Sequence, residues 1–195
     1  MNKLIAIVGA SGVGKTTLAR ALCKQDKFAV ALEQHSERPF QALFKADSKY
    51  AFANQMDYLL YRAEQELELR KNDAPVLMDG GLDLDFHGFT RLFHTRGLLN
   101  DAEYDLCRRF YFHTRSLLPP PDMVIALSAD SQTISQRLAS RNRINIASSE
   151  DAGLLEKYVN EWLESIPAEK ILKLNVSKEN VDYSRSVPLI LDKIK

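Results

Sequence analysis

Cysteine is scarce in this sequence. Two of the 195 residues are cysteines, Cys23 and Cys107, and they lie far apart with no C-x-x-C pair. This scarcity argues against a disulfide framework and against a zinc site, and it favours a reducing compartment. We therefore expect a cytoplasmic protein.

Neither sign of charge is in excess, and long apolar runs are absent. The 26 Lys and Arg residues balance the 26 Asp and Glu residues, so the composition does not indicate nucleic acid as a partner. No run of about 18 apolar residues occurs, so no segment is predicted to span a membrane. The N-terminal apolar run is too short for a signal peptide. The length suits one domain covering residues 1–195.

Short apolar runs alternate with helical patterns along the chain. The runs bounded by turn residues predict strands at 3–9, 28–33, 74–79, 122–128 and 171–176. Helical spacing predicts helices at 15–25, 47–72, 101–118, 131–141, 150–165 and 183–193, with Asp47 as the cap of the second. Strands that alternate with helices favour an α/β fold with a five-stranded parallel sheet between two helical layers.

The segment GASGVGKT, residues 9–16, matches the phosphate-binding pattern G-x-x-x-x-G-K-[ST] in full. It follows a predicted strand and opens a predicted helix, which is the context that a P-loop requires. Backbone N–H groups of such a loop converge on phosphate oxygens, and the helix N-terminus adds positive potential. Lys15 is expected to reach the β- and γ-phosphates of ATP, and Thr16 to hold Mg²⁺. The predicted nucleotide-binding residues are Gly9, Ala10, Ser11, Gly12, Val13, Gly14, Lys15, Thr16 and Thr17.

Asp79 ends the third predicted strand, in the stretch VLMDGGLDLD. In P-loop proteins a second strand often ends in an acid that supports Mg²⁺, directly or through water. Asp79 is therefore predicted to be a second metal residue beside Thr16. The alternative is an acid that only caps the helix or turn that follows.

The spacing of several further residues resembles the deoxynucleoside kinase family, and its bacterial deoxyadenosine and deoxyguanosine kinases above all. The resemblance covers residues 3 to about 165. It is carried by Glu33, by RPF at 38–40, by KYAFANQ at 49–55, by Arg62 and by Asp79. The resemblance implies a P-loop kinase fold with a helical lid, ATP and Mg²⁺ as cofactors, a small nucleoside-like acceptor and a homodimer built from helices that include 47–72 and 101–118.

The same resemblance implies roles for individual residues. Glu33 resembles the catalytic base that accepts the proton of the sugar 5′-hydroxyl. Gln55 resembles the glutamine that reads the base, and Arg62 and Asp85 resemble the charge pair that lines the base pocket. The lid segment RLASRNR, residues 137–143, implies that Arg137 binds ATP while Arg141 and Arg143 stabilise phosphate charge during transfer.

Each of these residues also has a simpler interpretation. Glu33 fits a solvated acid at a strand end, and Gln55 fits a plain helix residue. Arg62 has the i, i+4 spacing to pair with Glu66 on an exposed helix face. The lid arginines fit a solvated helix face.

Three departures from the family pattern fall at the end of the site that would bind the sugar. The family has Asp-Arg-Ser or Glu-Arg-Ser where this chain has Asp79-Gly80-Gly81. Phe44 stands at the position of a tyrosine that contacts the sugar 3′-hydroxyl, and a glutamate expected near Ile146 for the same hydroxyl is absent. Glycine permits close approach of a ligand to the backbone. The lost charge could come instead from other basic residues, for which the candidates are Arg38, Arg91 and Arg96.

These observations together predict an ATP- and Mg²⁺-dependent phosphotransferase that acts on the 5′-hydroxyl of a deoxynucleoside or a similar acceptor. Two alternatives stay open. One is a non-catalytic ATP-binding relative or regulatory subunit. The other is a kinase of a nucleoside monophosphate or another small alcohol, and the monophosphate version requires additional basic residues in the acceptor pocket.

Overall fold

All five strands belong to one parallel sheet, in a computed structural model that describes residues 2–32, 37–139 and 149–194. The strands are β1 (Leu4–Gly9), β2 (Ala29–Ala31), β3 (Val76–Asp79), β4 (Met123–Ser128) and β5 (Ile171–Asn175). They lie in the order β2-β3-β1-β4-β5, and every neighbouring pair is parallel. The predicted α/β fold is confirmed, and each strand is shorter than its apolar run.

Helices connect the strands and cover the sheet. They are α1 (Lys15–Gln25), α2 (Pro39–Ala46), α3 (Ala51–Leu69), α4 (Leu82–Leu84), α5 (Arg91–Thr95), α6 (Asp101–Leu117), α7 (Ser131–Ala139), α8 (Ser149–Glu164) and α9 (Ser186–Ile194). A π-helix, Asp85–Thr90, joins α4 to α5, and 3-10 turns occupy Ser48–Tyr50 and Ala168–Lys170. Within the described residues no helix is both long and apolar enough to cross a bilayer.

The central strand β1 is buried on both faces. Ile5 and Ile7 belong to the hydrophobic cluster that includes Leu18 and Leu22 of α1 and Ile190 of α9. Ala6 and Val8 belong to a cluster on the opposite side with Val159, Trp162 and Leu163 of α8. Because alternate side chains of a strand point to opposite faces, the sheet is the middle of three layers. This burial explains why β1, β3 and β4 have nearly continuous apolar sequences.

The helix predicted at 47–72 begins and ends differently. The side chain of Asp47 accepts a hydrogen bond from the Lys49 backbone N–H, so Asp47 caps a 3-10 turn before α3 starts at Ala51. The α-helix then ends at Leu69 rather than at residue 72. The C-terminal helix begins at Ser186 rather than at residue 183, because residues 180–183 form a turn in which the Tyr183 N–H bonds to the Asn180 carbonyl.

Two helical regions have no counterpart among the predicted helices. Pro39 occupies the first turn of α2 behind Arg38, a position that proline favours, and this signal could have revealed the helix. Residues 82–95 form the other region, which starts immediately after Gly81. The glycine pair Gly80-Gly81 is a turn, but the chain becomes helical at once and carries Asp83 and Asp85 on that helix.

Candidate active site

The P-loop lies between the end of β1 and the start of α1. Val13 is fully buried in the core, and Ser11 is exposed at the tip of the loop. Thr17 is partly buried in the first turn of α1. Gly14 has a φ of 110°, and a β-carbon there would lie 2.1 Å from the Tyr183 hydroxyl oxygen. Glycine is therefore required at this position both by backbone conformation and by close contact.

Two side chains that are distant in sequence bind carbonyl groups of this loop. Arg137 on α7 donates to the Val13 carbonyl at 2.5 Å and to the Val176 carbonyl at 3.0 Å. The hydroxyl of Tyr183, a residue that is 2% exposed, donates to the Gly14 carbonyl at 3.1 Å. In a planar trans peptide the carbonyl and the N–H point in opposite directions. Holding these two carbonyls therefore turns the N–H groups of Gly14 and Lys15 to the other side of the chain.

Thr16 and Asp79 meet because β1 and β3 are neighbouring parallel strands. The Thr16 hydroxyl donates to Oδ2 of Asp79, while Oδ1 of Asp79 is fully buried and has no hydrogen-bond partner among the described residues. Asp79 does not cap the helix that follows, since the N-cap of α4 is Gly81 and no side chain bonds there. Lys15 Nζ donates to the carbonyls of Gly9 at 3.1 Å and Ala10 at 3.3 Å.

A second cluster forms around the π-helix Asp85–Thr90. Gln55 on α3 is 2% exposed, and its Nε2 donates to the Thr90 hydroxyl at 2.9 Å and to the Asp85 carbonyl at 3.3 Å. The Thr90 hydroxyl in turn donates to the Asp85 carbonyl at 3.0 Å. A π-helix alters the usual α-helical pattern of backbone hydrogen bonds and is frequent at functional sites.

Arg62 joins this cluster to the end of β3. Its Nε donates to Oδ2 of Asp85 at 2.9 Å, and both side chains are buried. Arg62 does not pair with Glu66, which is the simpler interpretation of its position. Gly80 has a φ of 83°, and a β-carbon there would lie 3.6 Å from Nη2 of Arg62. There is thus space for a side chain at position 80, but the left-handed backbone disfavours one.

Phe44 lies on α2 and packs against Phe93, with 5.3 Å between the ring centroids. It belongs to the partly buried rim of a cluster that includes Leu59 and Phe86. A phenyl ring has no group that could bond a sugar hydroxyl, so this position contributes apolar contact.

A buried ionic network holds the helices of the second cluster together. Arg115 on α6 donates to both carboxylate oxygens of Glu66 at 2.9 Å and to Oδ2 of Asp83 at 2.7 Å. Glu66, which is 0% exposed, also accepts from Arg70 Nε at 2.9 Å. Although burial opposes the charged form, the two carboxylates raise the pKa of Arg115 above its ordinary value. The network ties α3, α4 and α6 together at their buried ends.

His87 lies beside this network in the π-helix. Its ring stacks on Trp162 with centroids 5.6 Å apart, and its Nε2 lies 3.1 Å from the Tyr111 hydroxyl. Burial, followed by the charges of Arg91 and Arg115, lowers the pKa of His87 to about 4. Because Tyr111 donates its proton to Asp83, the neutral ring of His87 donates to Tyr111 from Nε2.

The three basic candidates for a replacement charge are all ion-paired. Arg38 makes a bidentate contact with Asp57, at 2.5 Å and 2.6 Å, and lies 4.3 Å from the Tyr61 ring centroid. Arg91 pairs with Glu161 at 2.7 Å, and Arg96 pairs with Asp151 at 2.7 Å.

Several predicted residues lie outside the described part of the chain: Glu33, Arg141, Arg143 and Ile146. Five of the others form two groups that meet at β3. Thr16 and Asp79 form one, and Gln55, Arg62 and Asp85 form the other. Sequence reasoning missed Thr90, Tyr183 and Arg115, because no local pattern distinguishes them. Their partners are distant in sequence.

Comparisons with known proteins find relatives along nearly the whole chain. The sequence model described as deoxynucleoside kinase matches residues 5–195. The chain is 24% identical over 200 residues to a Bacillus subtilis deoxyadenosine/deoxycytidine kinase, which covers 99% of this chain and 92% of that protein. It is 29% identical over 140 residues to a Dictyostelium discoideum deoxyadenosine kinase, covering 71% of this chain and 57% of the relative.

Solved structures show the same fold. Deoxyadenosine kinase from M. mycoides with bound dCTP superposes with a TM-score of 0.78 at 21% identity, and 98% of each chain is covered. The same enzyme with bound dATP gives a TM-score of 0.77 at 24% identity, again over 98% of each chain.

Proposed function

Because this chain belongs to the deoxynucleoside kinase family, we propose that it transfers the γ-phosphoryl group of ATP to the 5′-hydroxyl of a deoxynucleoside. The observation that carries this proposal is the junction at β3. Thr16 and Asp79 contact each other there, and the next residue, Gly80, lies beside Arg62 of the second cluster. A phosphate donor bound at the first group would therefore be next to an acceptor bound at the second.

At the nucleotide end, Gly9 to Thr17 hold the phosphates of ATP. The N–H groups of Gly14 and Lys15 are oriented by the bonds that Arg137 and Tyr183 make to the carbonyls on the opposite side. Lys15 now contacts backbone carbonyls, and its flexible stem lets Nζ turn to the β- and γ-phosphates. In this proposal Arg137 acts on ATP through the loop as well as by any direct contact.

Mg²⁺ fits the pair formed by Thr16 and Asp79. Mg²⁺ prefers oxygen ligands and keeps waters together with one or two carboxylates and substrate phosphates. The buried Oδ1 of Asp79 lacks a partner within residues 2–32, 37–139 and 149–194, and Thr16 supplies a hydroxyl oxygen beside it. The ion would neutralise charge that develops on the transferring phosphoryl group.

At the acceptor end, Gln55, Arg62 and Asp85 line the base site, and Phe44 contributes an apolar wall. Glu33 accepts the proton of the 5′-hydroxyl, and Arg141 and Arg143 neutralise phosphate charge from the lid; these roles follow from the family resemblance. Arg62 brings a guanidinium to Gly80, where the family has its own arginine. Lys15, Thr16, Glu33 and Asp79 are all present in the sequence, which supports retained chemistry rather than a non-catalytic relative.

A nucleoside acceptor is favoured over a monophosphate. A monophosphate needs positive charge that is available to it, and Arg38, Arg91 and Arg96 each neutralise a carboxylate of this chain. A ligand phosphate would have to break one of these contacts. The bidentate pair of Arg38 with Asp57 is the strongest form of such a contact.

The assembly in this proposal is a homodimer of single-domain chains in the cytoplasm, with residues 1–195 as the domain. Leu60 and Leu67 are exposed seven residues apart on one face of α3. Leu106 and Leu117 are exposed three helical turns apart on α6, which packs against α3. These side chains support an apolar face for a second copy. Cys23 and Cys107 are free thiols, which suits a reducing compartment.

The decisive experiment measures ADP release from Mg·ATP across ribonucleosides, deoxynucleosides, their monophosphates and simple alcohols. Lys15→Ala serves as the inactive control. We expect release that depends on a deoxynucleoside and is absent in the control. Release driven by a monophosphate or an alcohol alone would replace the acceptor assignment.

ATP binding without release for any acceptor would support the non-catalytic alternative. Omission of Mg²⁺ from the same assay tests the metal, since turnover should return when the ion is restored.

A further inference from the structure

The hydroxyl of Thr90 fixes the orientation of the Gln55 amide. Thr90 is 0% exposed and contacts Gln55 Nε2 at 2.9 Å, while its hydroxyl donates to the Asp85 carbonyl at 3.0 Å. A hydroxyl has one hydrogen to donate. Because that hydrogen goes to Asp85, the Thr90 oxygen accepts from Gln55, which requires the NH₂ group on that side.

The second contact of the amide points to the same orientation. Gln55 Nε2 also lies 3.3 Å from the Asp85 carbonyl, an atom that can only accept. Turning the amide over would put its oxygen against this carbonyl oxygen, with no hydrogen between them. The two hydrogens of the NH₂ group are thus assigned to two acceptors of the protein.

With both hydrogens of Nε2 assigned, the amide oxygen Oε1 is the polar atom of the Gln55 side chain that a ligand can contact. Within the part of the chain that the structure describes, Oε1 receives no hydrogen bond. Oε1 is also not one of the fully buried side-chain atoms that lack a hydrogen-bond partner. In the described part of the chain, those atoms are Asn54 Oδ1, Asp79 Oδ1 and Glu179 Oε2. A ligand that uses Gln55 must therefore donate a hydrogen bond to it.

Building on the proposed function, we infer that Thr90 is a specificity-determining positioning residue that makes this kinase select bases with an exocyclic amino group. The 6-amino group of adenine and the 4-amino group of cytosine donate to Oε1. A carbonyl at the same position of the ring meets Oε1 with lone pair against lone pair. A site built around one hydrogen-bond polarity rejects the opposite polarity because the mismatched atoms are left unpaired.

Three deoxynucleosides with one ring system test this inference in the full-length chain with Mg·ATP. Deoxyadenosine carries the amino group, purine 2′-deoxyriboside carries hydrogen, and 2′-deoxyinosine carries the carbonyl. We expect kcat/KM for deoxyadenosine to exceed that for the other two by at least about 30-fold, well within what hydrogen-bonding sites achieve. The discrimination should be mainly in KM, since the amide is remote from the transferred group.

Thr90→Val removes the hydroxyl and keeps the shape, so the amide orientation is held only by the 3.3 Å contact with the Asp85 carbonyl. The amide can then turn over more easily and present its NH₂ group to a base carbonyl. We expect the ratio of deoxyadenosine to deoxyinosine to fall by about fivefold or more, the scale of one hydrogen bond of about 1 kcal/mol. Thr90→Ser should restore the wild-type ratio. Thr114→Val, at another buried threonine on α6, is the matched control and should leave the ratio unchanged.

A wild-type ratio below about threefold, less than one hydrogen bond of about 1 kcal/mol supplies, would overturn the inference even if Thr90→Val failed to fold. A folded Thr90→Val chain with the wild-type ratio would also overturn it. Calorimetric binding of the same nucleosides separates this inference from the proposed function. Binding that is selective for the amino group, with a selectivity that Thr90→Val weakens and with no turnover, would uphold the role of Thr90 and reject the kinase activity. Turnover without selectivity for the amino group would uphold the kinase activity and reject the role of Thr90. Absence of both selective binding and turnover would reject both proposals.

Discussion

At the proposed nucleotide end of the site, the groups offered to a ligand are mostly backbone N–H groups, while Arg137 and Tyr183 bind carbonyls on the opposite side of the loop. At the proposed acceptor end, the groups offered to a ligand are side chains, and they bind one another. Gln55 bonds to Thr90, and Arg62 bonds to Asp85. One end presents the backbone, while the other presents a network of side chains.

This difference determines how each end tolerates change. A backbone cradle depends on loop conformation and so on few residue types, chiefly glycine. A side-chain network depends on the polarity of each member, so a single substitution changes which ligand atoms are complementary. We therefore expect substitutions at the acceptor end to alter selectivity, and those behind the P-loop to alter affinity for ATP.

The largest expected effect separates the two ends most sharply. Glu33→Gln removes the proposed base, and we expect turnover to fall by about 10²–10⁴-fold, the usual contribution of general base catalysis. Affinity for ATP should stay nearly unchanged, as measured by calorimetry. Glu37→Gln, which alters the ion pair with Lys45, is the control and should keep its turnover. Comparable turnover in both variants would remove Glu33 as the base.

The next largest effect is expected at the buried ionic network of Arg115, Glu66 and Asp83. Arg115→Met leaves Glu66 and Asp83 as buried carboxylates without their shared partner. Loss of one partner of a buried pair costs about 3–5 kcal/mol in free energy of unfolding, measured by urea denaturation. Arg108→Met on the same helix removes an exposed pair with Asp105 and should cost less than about 1 kcal/mol. Equal costs would mean that the network does not stabilise this end.

Acid should lower the free energy of unfolding through His87, which lies beside the ionic network of Arg115. Its pKa is lowered to about 4 in the folded chain, by burial and by the charges of Arg91 and Arg115. The unfolded chain therefore binds more protons between about pH 6.5 and 4, and stability falls as the pH drops through this window, by about 3 kcal/mol in total. His87→Phe retains a ring against Trp162 and should flatten this part of the profile. An unchanged slope in urea denaturation at each pH would contradict the assignment.

The smallest effect is expected at Tyr183, whose hydroxyl binds a carbonyl of the P-loop. Tyr183→Phe removes one hydrogen bond to the Gly14 carbonyl, worth about 1 kcal/mol, so KM for ATP should rise about fivefold. KM for the acceptor should not change. Tyr158→Phe, which removes a bond to Thr95 at 2.7 Å, is a matched control for loss of a tyrosine hydroxyl. A rise in KM for both substrates would show that Tyr183 does not act on the nucleotide end alone.

The same difference explains what could be predicted from sequence. The fold class and the P-loop follow from local patterns, and the contact of Thr16 with Asp79 follows from parallel strands that end at one edge. The contact of Gln55 with Thr90 does not follow, because it depends on a π-helix for which residues 85–90 carry no recognised signal. The sequence also suggested Arg38, Arg91 and Arg96 as replacement charges, whereas the structure pairs each with a carboxylate that local spacing does not indicate.

The bond from Tyr183 to Gly14 joins a residue near one end of the chain to a loop near the other. During synthesis, the sheet and the glycine-rich loop leave the ribosome before the hydroxyl that completes the loop's support. A chain cut after β5 would keep every strand and the whole phosphate-binding motif, yet its loop would lack that support. Nucleotide affinity should therefore reach its full value only when translation has passed residue 183, and the gain from this bond should be about fivefold, the worth of one hydrogen bond.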